Sequence, residues 1–221
     1  KELGGFFKYL DQKVGKGNYL VFLTADHGAA HSINFLKENK MPADFLQSNK
    51  IIAGLNEKLK NKFKEDKLVL SDNNYQINFN NVKIKEKDLD YKAIKAATIQ
   101  YLKQQPELQF VIDLENIGAE PVPEAIRERA INGYNSKRSG TVQIIPFPGW
   151  FESAYNGTGT THGTWNPFDT HIPLVWMGWG IKPGKSNREV YMTDIAPTLA
   201  GLLRLQTPSG SVGKAIPEIT P

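Results

Sequence analysis

Apolar residues follow two different spacings along this chain, and each spacing predicts one kind of secondary structure. Apolar side chains recur at helical spacing over residues 1–15 and predict an amphipathic helix. Residues 19–23 are continuously apolar and lie between Gly17 and Gly28, which predicts a strand buried on both faces of a parallel sheet. Similar runs predict further buried strands at 108–112, 141–145 and 172–177, and helical spacing predicts helices within 42–59, 88–102, 121–131 and 193–202.

A segment of different character interrupts this alternation. Short β-type runs at 67–70, 75–79 and 82–85 are separated by polar turns rich in asparagine, which tolerates the positive φ of tight turns. They predict a small hairpin or meander. Strands that alternate with helices elsewhere predict an α/β fold, with a mostly parallel sheet flanked by helices and a small α+β insertion. We therefore expect core α/β structure over 1–60 and 106–221, with an inserted α+β subdomain over 61–105.

Composition narrows the class of protein only slightly. The 221 residues include 27 basic and 23 acidic side chains, a formal charge of +4 without a long basic block, so nucleic-acid binding is not indicated. The absence of cysteine excludes disulfides and thiolate metal ligands. No apolar run reaches the roughly 18–20 residues that span a bilayer, and no signal peptide is present. The chain lacks an initiating methionine and begins within the first predicted helix, so we expect a piece of a longer protein.

The first candidate site is the tripeptide Asp26-His27-Gly28 at the end of the first predicted strand. Ligands of open α/β sheets bind outside the carboxyl ends of strands, and carboxylate oxygen and neutral imidazole nitrogen are ordinary zinc donors. Neighbouring residues of a strand point to opposite faces, so both side chains could reach one ion only where the strand breaks, which Gly28 permits. Two other interpretations stay open: Asp26 could cap the following helix, and His27 could be a hydrogen-bonded core residue.

The second candidate is His162, which follows two Gly-Thr steps at 157–160. These steps bring the backbone to the histidine with little side-chain bulk, as a residue that faces a cleft requires. A solvated loop histidine is the alternative interpretation.

Four tracts occur in order along the chain: Thr-Ala-Asp-His-Gly at 24–28, Thr-His-Gly at 161–163, Asp-Thr-His-Ile-Pro-Leu at 169–174 and Asp-Ile-Ala-Pro-Thr-Leu at 194–199. Together they resemble the C-terminal part of the alkaline phosphatase superfamily. The pattern is most similar to that of the secreted bacterial alkaline phosphatases with a threonine nucleophile, which are related to the nucleotide pyrophosphatase/phosphodiesterases. The resemblance spans nearly the whole chain.

This resemblance implies a site for two zinc ions at the carboxyl ends of the sheet. It assigns Asp26 and His27 to one ion and His162 to the other. The family's nucleophilic Thr or Ser, an aspartate near the protein's start, and an Asp and a His shortly before this chain begins have no counterpart here. We therefore expect no catalytic nucleophile in this chain, an inactive isolated piece, and zinc occupancy that is partial or absent without the rest.

Three further residues are candidates to support these ligands. His31 lies four residues after His27 and could pair with it on a helix, but a supporting or structural role is favoured because the family places no ligand there. His171 directly precedes a strand and is interpreted as a hydrogen-bonding partner beneath the site. Asp169, with Asn166, could orient ligands or loops.

The function that the resemblance implies is a periplasmic or secreted zinc phosphomonoesterase, which releases inorganic phosphate from small phosphate esters through a covalent phosphoenzyme. Its partners would be the substrate and the missing N-terminal half of the polypeptide, without nucleic acid or a membrane span. Alternatives within the superfamily are a phosphodiesterase or nucleotide pyrophosphatase and a phosphonate hydrolase, whereas a sulfatase uses a formylglycine, calcium and other ligands. A non-catalytic module that kept the fold is the alternative from another class.

Overall fold

The computed structural model describes residues 1–152 and 159–220. They form two compact units, one made of Lys1–Ala25 with the chain from Pro173 onward, and one made of Asp26–Ile172. The helices in chain order are α1 (Glu2–Lys13), α2 (Ile33–Glu38), α3 (Ser48–Phe63), α4 (Asn81–Glu86), α5 (Tyr91–Leu102), α6 (Glu124–Gly133), α7 (Pro167–Thr170) and α8 (Ile195–Leu203). The strands are β1 (Leu20–Thr24), β2 (Asp44–Phe45), β3 (Val69–Ser71), β4 (Gln76–Phe79), β5 (Leu108–Asp113), β6 (Val142–Pro146), β7 (Trp150–Phe151) and β8 (Leu174–Gly178).

The first unit contains an antiparallel pair of strands, in which β1 runs beside β8 with Thr24 opposite Leu174. The apolar run predicts β1 correctly as a strand. Burial on both faces is not observed, because Phe22 and Leu23 are 39% and 49% exposed. Two strands alone do not cover both of their faces, and α1 contributes no buried side chain.

Helix α8 confirms the last helix predicted from apolar spacing. It begins after Asp194 and buries Ile195, Ala200 and Leu202. Although this helix is strongly apolar, no helix in the described part of the chain is both long and apolar enough to cross a membrane.

The second unit is built around a four-stranded sheet with the order β3-β4-β6-β5, in which neighbouring strands are antiparallel. Val111 of β5 lies opposite Ile144 of β6. Successive side chains of a strand alternate between faces, so one face of this sheet meets α3 and α5 and the other meets α6. The larger core, on the first face, includes Ile51, Leu55, Leu59, Ile94, Ala97, Leu102, Val111 and Ile144. The smaller core, on the second face, is made by Ile112, Leu114, Ala130 and Ile145.

The α/β class is confirmed, but the strand pairing is mixed. Among the described strands, β2 and β7 pair in parallel, with Asp44 opposite Trp150, and the other pairs are antiparallel. Apolar runs predicted β5 and β6 as strands without indicating their partners. Strands β3 and β4, predicted within the insertion, share a sheet with β6 from the predicted core, so the second unit has one continuous sheet across that boundary.

The prediction of a strand at 82–85 is wrong, because this segment lies within helix α4. Val82 and Ile84 alternate with lysines as they would in a half-buried strand. The side chain of Asn80 favours the helix, because it accepts the backbone N–H of Lys83 at 3.1 Å and caps the first turn.

Candidate metal centre

Asp26 and His27 lie on the loop between β1 and α2. Ser32 ends this loop, because its Oγ accepts the N–H of Phe35 at 3.3 Å, so Ser32 rather than Asp26 caps the helix. The side chain of Asp26 is 88% exposed, and that of His27 is 37% exposed. The capping interpretation of Asp26 and the core interpretation of His27 are therefore both wrong.

The loop backbone fixes the tautomer of His27. Its Nδ1 lies 2.6 Å from the carbonyl oxygen of Gly28, and since a carbonyl only accepts, Nδ1 carries the proton. The lone pair is then on Nε2, which lies 3.6 Å from Asp26 Oδ2. Two donors that each bind a tetrahedral zinc at ~2.1 Å are separated by ~3.4 Å. The Asp26 and His27 side chains therefore fit one divalent ion.

Gly28 is required by a close approach of two backbones. Its N–H donates to the carbonyl of Asp169 at 2.8 Å. A Cβ at this position would lie 2.9 Å from the carbonyl carbon of Phe168, nearer still to its oxygen, and 3.3 Å from the Cα of Asp169. Any side chain here would push the two segments apart, so glycine keeps them in contact.

The segment that leads to His162 is bound to the same loop. The N–H of Ala30 donates to the carbonyl of Thr161 at 3.2 Å, and the hydroxyl of Thr160 donates to the carbonyl of Ala30. Gly159 has a φ of 86°, in the left-handed region that glycine adopts without strain. The first predicted Gly-Thr step, at 157–158, lies outside the described residues.

These contacts bring the two candidate histidines together. The rings of His27 and His162 stack with centroids 3.5 Å apart and planes inclined by 14°. His162 is exposed, as a ligand open to a cleft or a solvated histidine would be. Within the described residues, no group of three or more carboxylate, imidazole or thiol side chains converges on a single metal position. The structure thus offers one Asp-His pair and one adjacent imidazole.

The three residues predicted to support the ligands have different environments. Asp169 is buried and bonded to Gly28, as described above. The ring of His31 is exposed and contacts Phe35, with centroids 4.6 Å apart. His171 is exposed, and the described residues give its side chain no hydrogen-bond partner. Among the described residues, His31 and His171 make no hydrogen bond to the candidate ligands Asp26, His27 and His162.

One buried polar residue beside the site was not predicted. Thr164 is 6% exposed and contacts the carboxylate of Asp169 through its hydroxyl and its backbone N–H. Thr164 stands in a Gly-Thr-Trp sequence, which does not distinguish a buried threonine from a surface one. The only sequence indication was its position five residues before a candidate aspartate.

Fold and donors together define a class: an α/β protein whose loops present carboxylate and imidazole groups suited to a divalent metal. Comparison with known proteins identifies the family. The family model described as type I phosphodiesterase / nucleotide pyrophosphatase matches residues 1–169, and the chain belongs to this family.

The individual relatives agree with this assignment. The chain is 48% identical to alkaline phosphatase PafA of Elizabethkingia meningoseptica and 49% identical to alkaline phosphatase PhoV of Synechococcus elongatus, in each case over 99% of the chain. It covers 40% and 39% of those two proteins. A crystal structure of wild-type PafA superposes with a TM-score of 0.93 at 47% identity, over 100% of this chain and 42% of that one. The predicted resemblance is confirmed, and the chain spans about two fifths of its relatives' length.

Proposed function

We propose that this chain is the C-terminal part of a metal-dependent phosphomonoesterase, which releases inorganic phosphate through a two-zinc, covalent phosphoenzyme mechanism. Asp26 and His27 hold one zinc ion in this proposal, and His162 holds the second. The observation that carries it is the stacking of the His27 and His162 rings, with centroids 3.5 Å apart. The stacking puts the two imidazoles side by side, so that ions bound to their ring nitrogens would be neighbours, as a two-metal site requires.

Each residue has a definite task in this site. The Gly28 carbonyl keeps the proton on Nδ1 of His27, so that Nε2 can bind metal. The backbone N–H of His27 holds Asp26 Oδ1 at 3.1 Å, which leaves Oδ2 facing Nε2. Two bound zinc ions would supply Lewis-acid stabilisation of the attacking and leaving oxygens during in-line displacement at phosphorus.

The rest of the polypeptide would complete the site and the fold. The family resemblance assigns the nucleophile and the remaining zinc ligands to a region of the relatives that this chain does not cover. Strand β1 and helix α1 carry exposed apolar side chains, and we propose that the remaining N-terminal part of the polypeptide covers them. In the whole protein we expect the alkaline-phosphatase-like sheet to be mostly parallel and the location to be periplasmic or secreted, as the resemblance implies.

The test is a zinc-dependent activity assay on the full-length polypeptide that contains this chain. With an aryl phosphate ester as substrate, we expect His162→Ala and Asp26→Ala to reduce kcat/KM by more than about 100-fold, because changes behind a metal ligand alone cost about 10–100-fold. His31→Ala is the matched control and should stay near the parent, since His31 makes no hydrogen bond to the candidate ligands. A His162→Ala protein with the parental rate would refute the assignment.

The 221-residue chain provides a second test. Without a nucleophile it should not hydrolyse the aryl phosphate, even with excess zinc. Hydrolysis by this chain alone would contradict the proposal that the nucleophile lies elsewhere. A non-catalytic module would instead give a full-length protein without zinc-dependent hydrolysis.

A phosphodiesterase or nucleotide pyrophosphatase is the second candidate, favoured by the description of the matching family model. A phosphonate hydrolase is a further alternative within the superfamily. The groups that contact the phosphoryl oxygens distinguish monoesters from diesters, and the resemblance places those groups outside this chain. Comparing kcat/KM for an aryl monoester, the corresponding diester and an aryl phosphonate on the full-length protein decides between these candidates, and a higher value for the monoester is expected.

A further inference from the structure

A group of hydrogen-bonded residues connects the loops that carry the two histidines. We call it the Thr164 bracket, and it consists of Gly28, Thr164, Asn166 and Asp169. The backbone N–H and the hydroxyl of Thr164 each donate to Asp169 Oδ2 at 2.7 Å. The hydroxyl in turn accepts the side-chain N–H of Asn166 at 3.1 Å. The O–H donor and one of the two acceptor lone pairs of the Thr164 hydroxyl are therefore used inside the bracket.

Asp169 connects the two loops through two different groups. Its carboxylate holds Thr164, two residues after His162. Its backbone carbonyl accepts the N–H of Gly28, the residue next to His27, at 2.8 Å. Asp169 therefore contributes to the position of one histidine ring relative to the other, together with the bonds between Ala30 and the Thr160–Thr161 segment.

The carboxylate of Asp169 is an unusual group to bury. Asp169 is only 4% exposed, and its Oδ1 has no hydrogen-bond partner within the described residues. Burying a charge is costly unless it is hydrogen-bonded, so the two donors of Thr164 carry most of the compensation. The two short bonds from Thr164 give this buried carboxylate a structural role, because they hold the loop that carries His162 against Asp169.

We propose that Thr164 is a positioning residue for the metal centre: its hydroxyl fixes Asp169, and thereby sets the separation of His27 and His162 before metal binds. This inference rests on the proposed function, because it assumes that both histidines hold zinc. Thr164 contacts neither metal nor substrate and acts through Asp169. Its loss should therefore weaken metal binding while leaving the chemistry of the loaded site nearly intact.

The experiment uses the full-length polypeptide with Thr164→Val, which keeps the shape of the side chain and removes its hydroxyl. Zinc affinity, measured by competition with a chelator, should fall by about 10–100-fold. Activity toward an aryl phosphate should fall at limiting zinc and recover in excess zinc, with KM unchanged at saturation. The visible spectrum of the cobalt-substituted protein should change, because it reports the geometry of the bound ion.

Two further variants separate positioning from general stability. Thr164→Ser keeps the hydroxyl and should restore zinc affinity to within about threefold of the parent. Thr98→Val is the matched control, since Thr98 is a buried threonine of α5 whose hydroxyl has no hydrogen-bond partner within the described residues. It should bind zinc as the parent does. If Thr164→Val does not fold, Asp169→Asn tests the same carboxylate with the same expected loss of affinity.

The outcomes are distinct. Parental zinc affinity in Thr164→Val would overturn the inference. Equal losses of activity and melting temperature in the Val and Ser variants, uncorrected by zinc, would assign Thr164 a structural role and also overturn it. If the parent binds zinc and His162→Ala abolishes that binding, the proposed function stands whatever Thr164→Val does. If the parent shows no zinc-dependent hydrolysis, the proposed function fails and this inference fails with it.

Discussion

Substituting Gly28 by alanine tests whether the close approach of two backbones maintains the candidate site. The added Cβ would lie 2.9 Å from the carbonyl carbon of Phe168 and closer to its oxygen. Carbon atoms in favourable contact are about 3.5–4.0 Å apart, so one segment has to move by the order of 1 Å. Neither neighbour is a flexible side chain, so the backbone itself has to shift.

The energetic cost follows from two contributions. Moving the segments apart lengthens the hydrogen bond from Gly28 N–H to the Asp169 carbonyl, whose loss costs about 0.5–1.5 kcal/mol. Overpacking a tight contact costs about 1–3 kcal/mol more. We therefore expect Gly28→Ala to lower the free energy of unfolding by about 1.5–4.5 kcal/mol. Since misplacement by ~1 Å can cost ~100-fold in rate, activity should fall more than stability suggests.

The assay combines denaturant unfolding and zinc-dependent hydrolysis on the full-length parent and on the Gly28→Ala protein. Gly118→Ala is the matched control, because a Cβ at Gly118 meets no atom within 4 Å. This control should change stability by no more than about 0.5 kcal/mol. A Gly28→Ala protein with parental stability and zinc affinity would refute the idea that this contact sets the loop geometry.

Two further predictions concern the second unit. Lys95 bonds Asp113 and Glu115 at 2.8 Å each; burial lowers its pKa, but these two hydrogen bonds outweigh that effect and raise the pKa above its usual value. Lys95→Met should therefore lower the free energy of unfolding by about 1–3 kcal/mol at pH 8. The difference in stability from the parent should shrink as the pH rises from ~10.4, the pKa of an unfolded lysine, through the higher pKa of folded Lys95. A stability difference that does not change with pH in denaturant titrations would contradict this. Asn80→Ala removes the cap of α4 and should lower the free energy of unfolding by about 1 kcal/mol in the same titrations. Asn81→Ala, at the exposed neighbouring position, is the control and should lower it less. Equal losses of stability in the two variants would argue against the cap.

Apolar spacing predicted most elements of this fold but not how they pair. The spacing of apolar residues along the chain predicts helices α1, α6 and α8 and strands β1, β5 and β6. The antiparallel pairing of β5 with β6 does not, because an apolar run specifies burial without specifying a partner. Helix α4 was missed for a different reason. Alternating Val82 and Ile84 fit a strand, whereas the segment forms a helix that the Asn80 side chain caps through the N–H of Lys83.

Residue patterns in the sequence predict elements of the fold, but they do not predict which residues meet at the candidate site. His27 and His162 could be proposed as neighbours only through resemblance to a family, because the bonds that join their loops are made largely by backbone atoms. The bond between Ala30 N–H and the Thr161 carbonyl could form with almost any residues at those positions. Side-chain identity enters where a group has to be absent, as at Gly28, or where a buried charge needs donors, as at Asp169. In this chain Gly28 and Asp169, rather than the histidines alone, therefore mark where the two loops are held together.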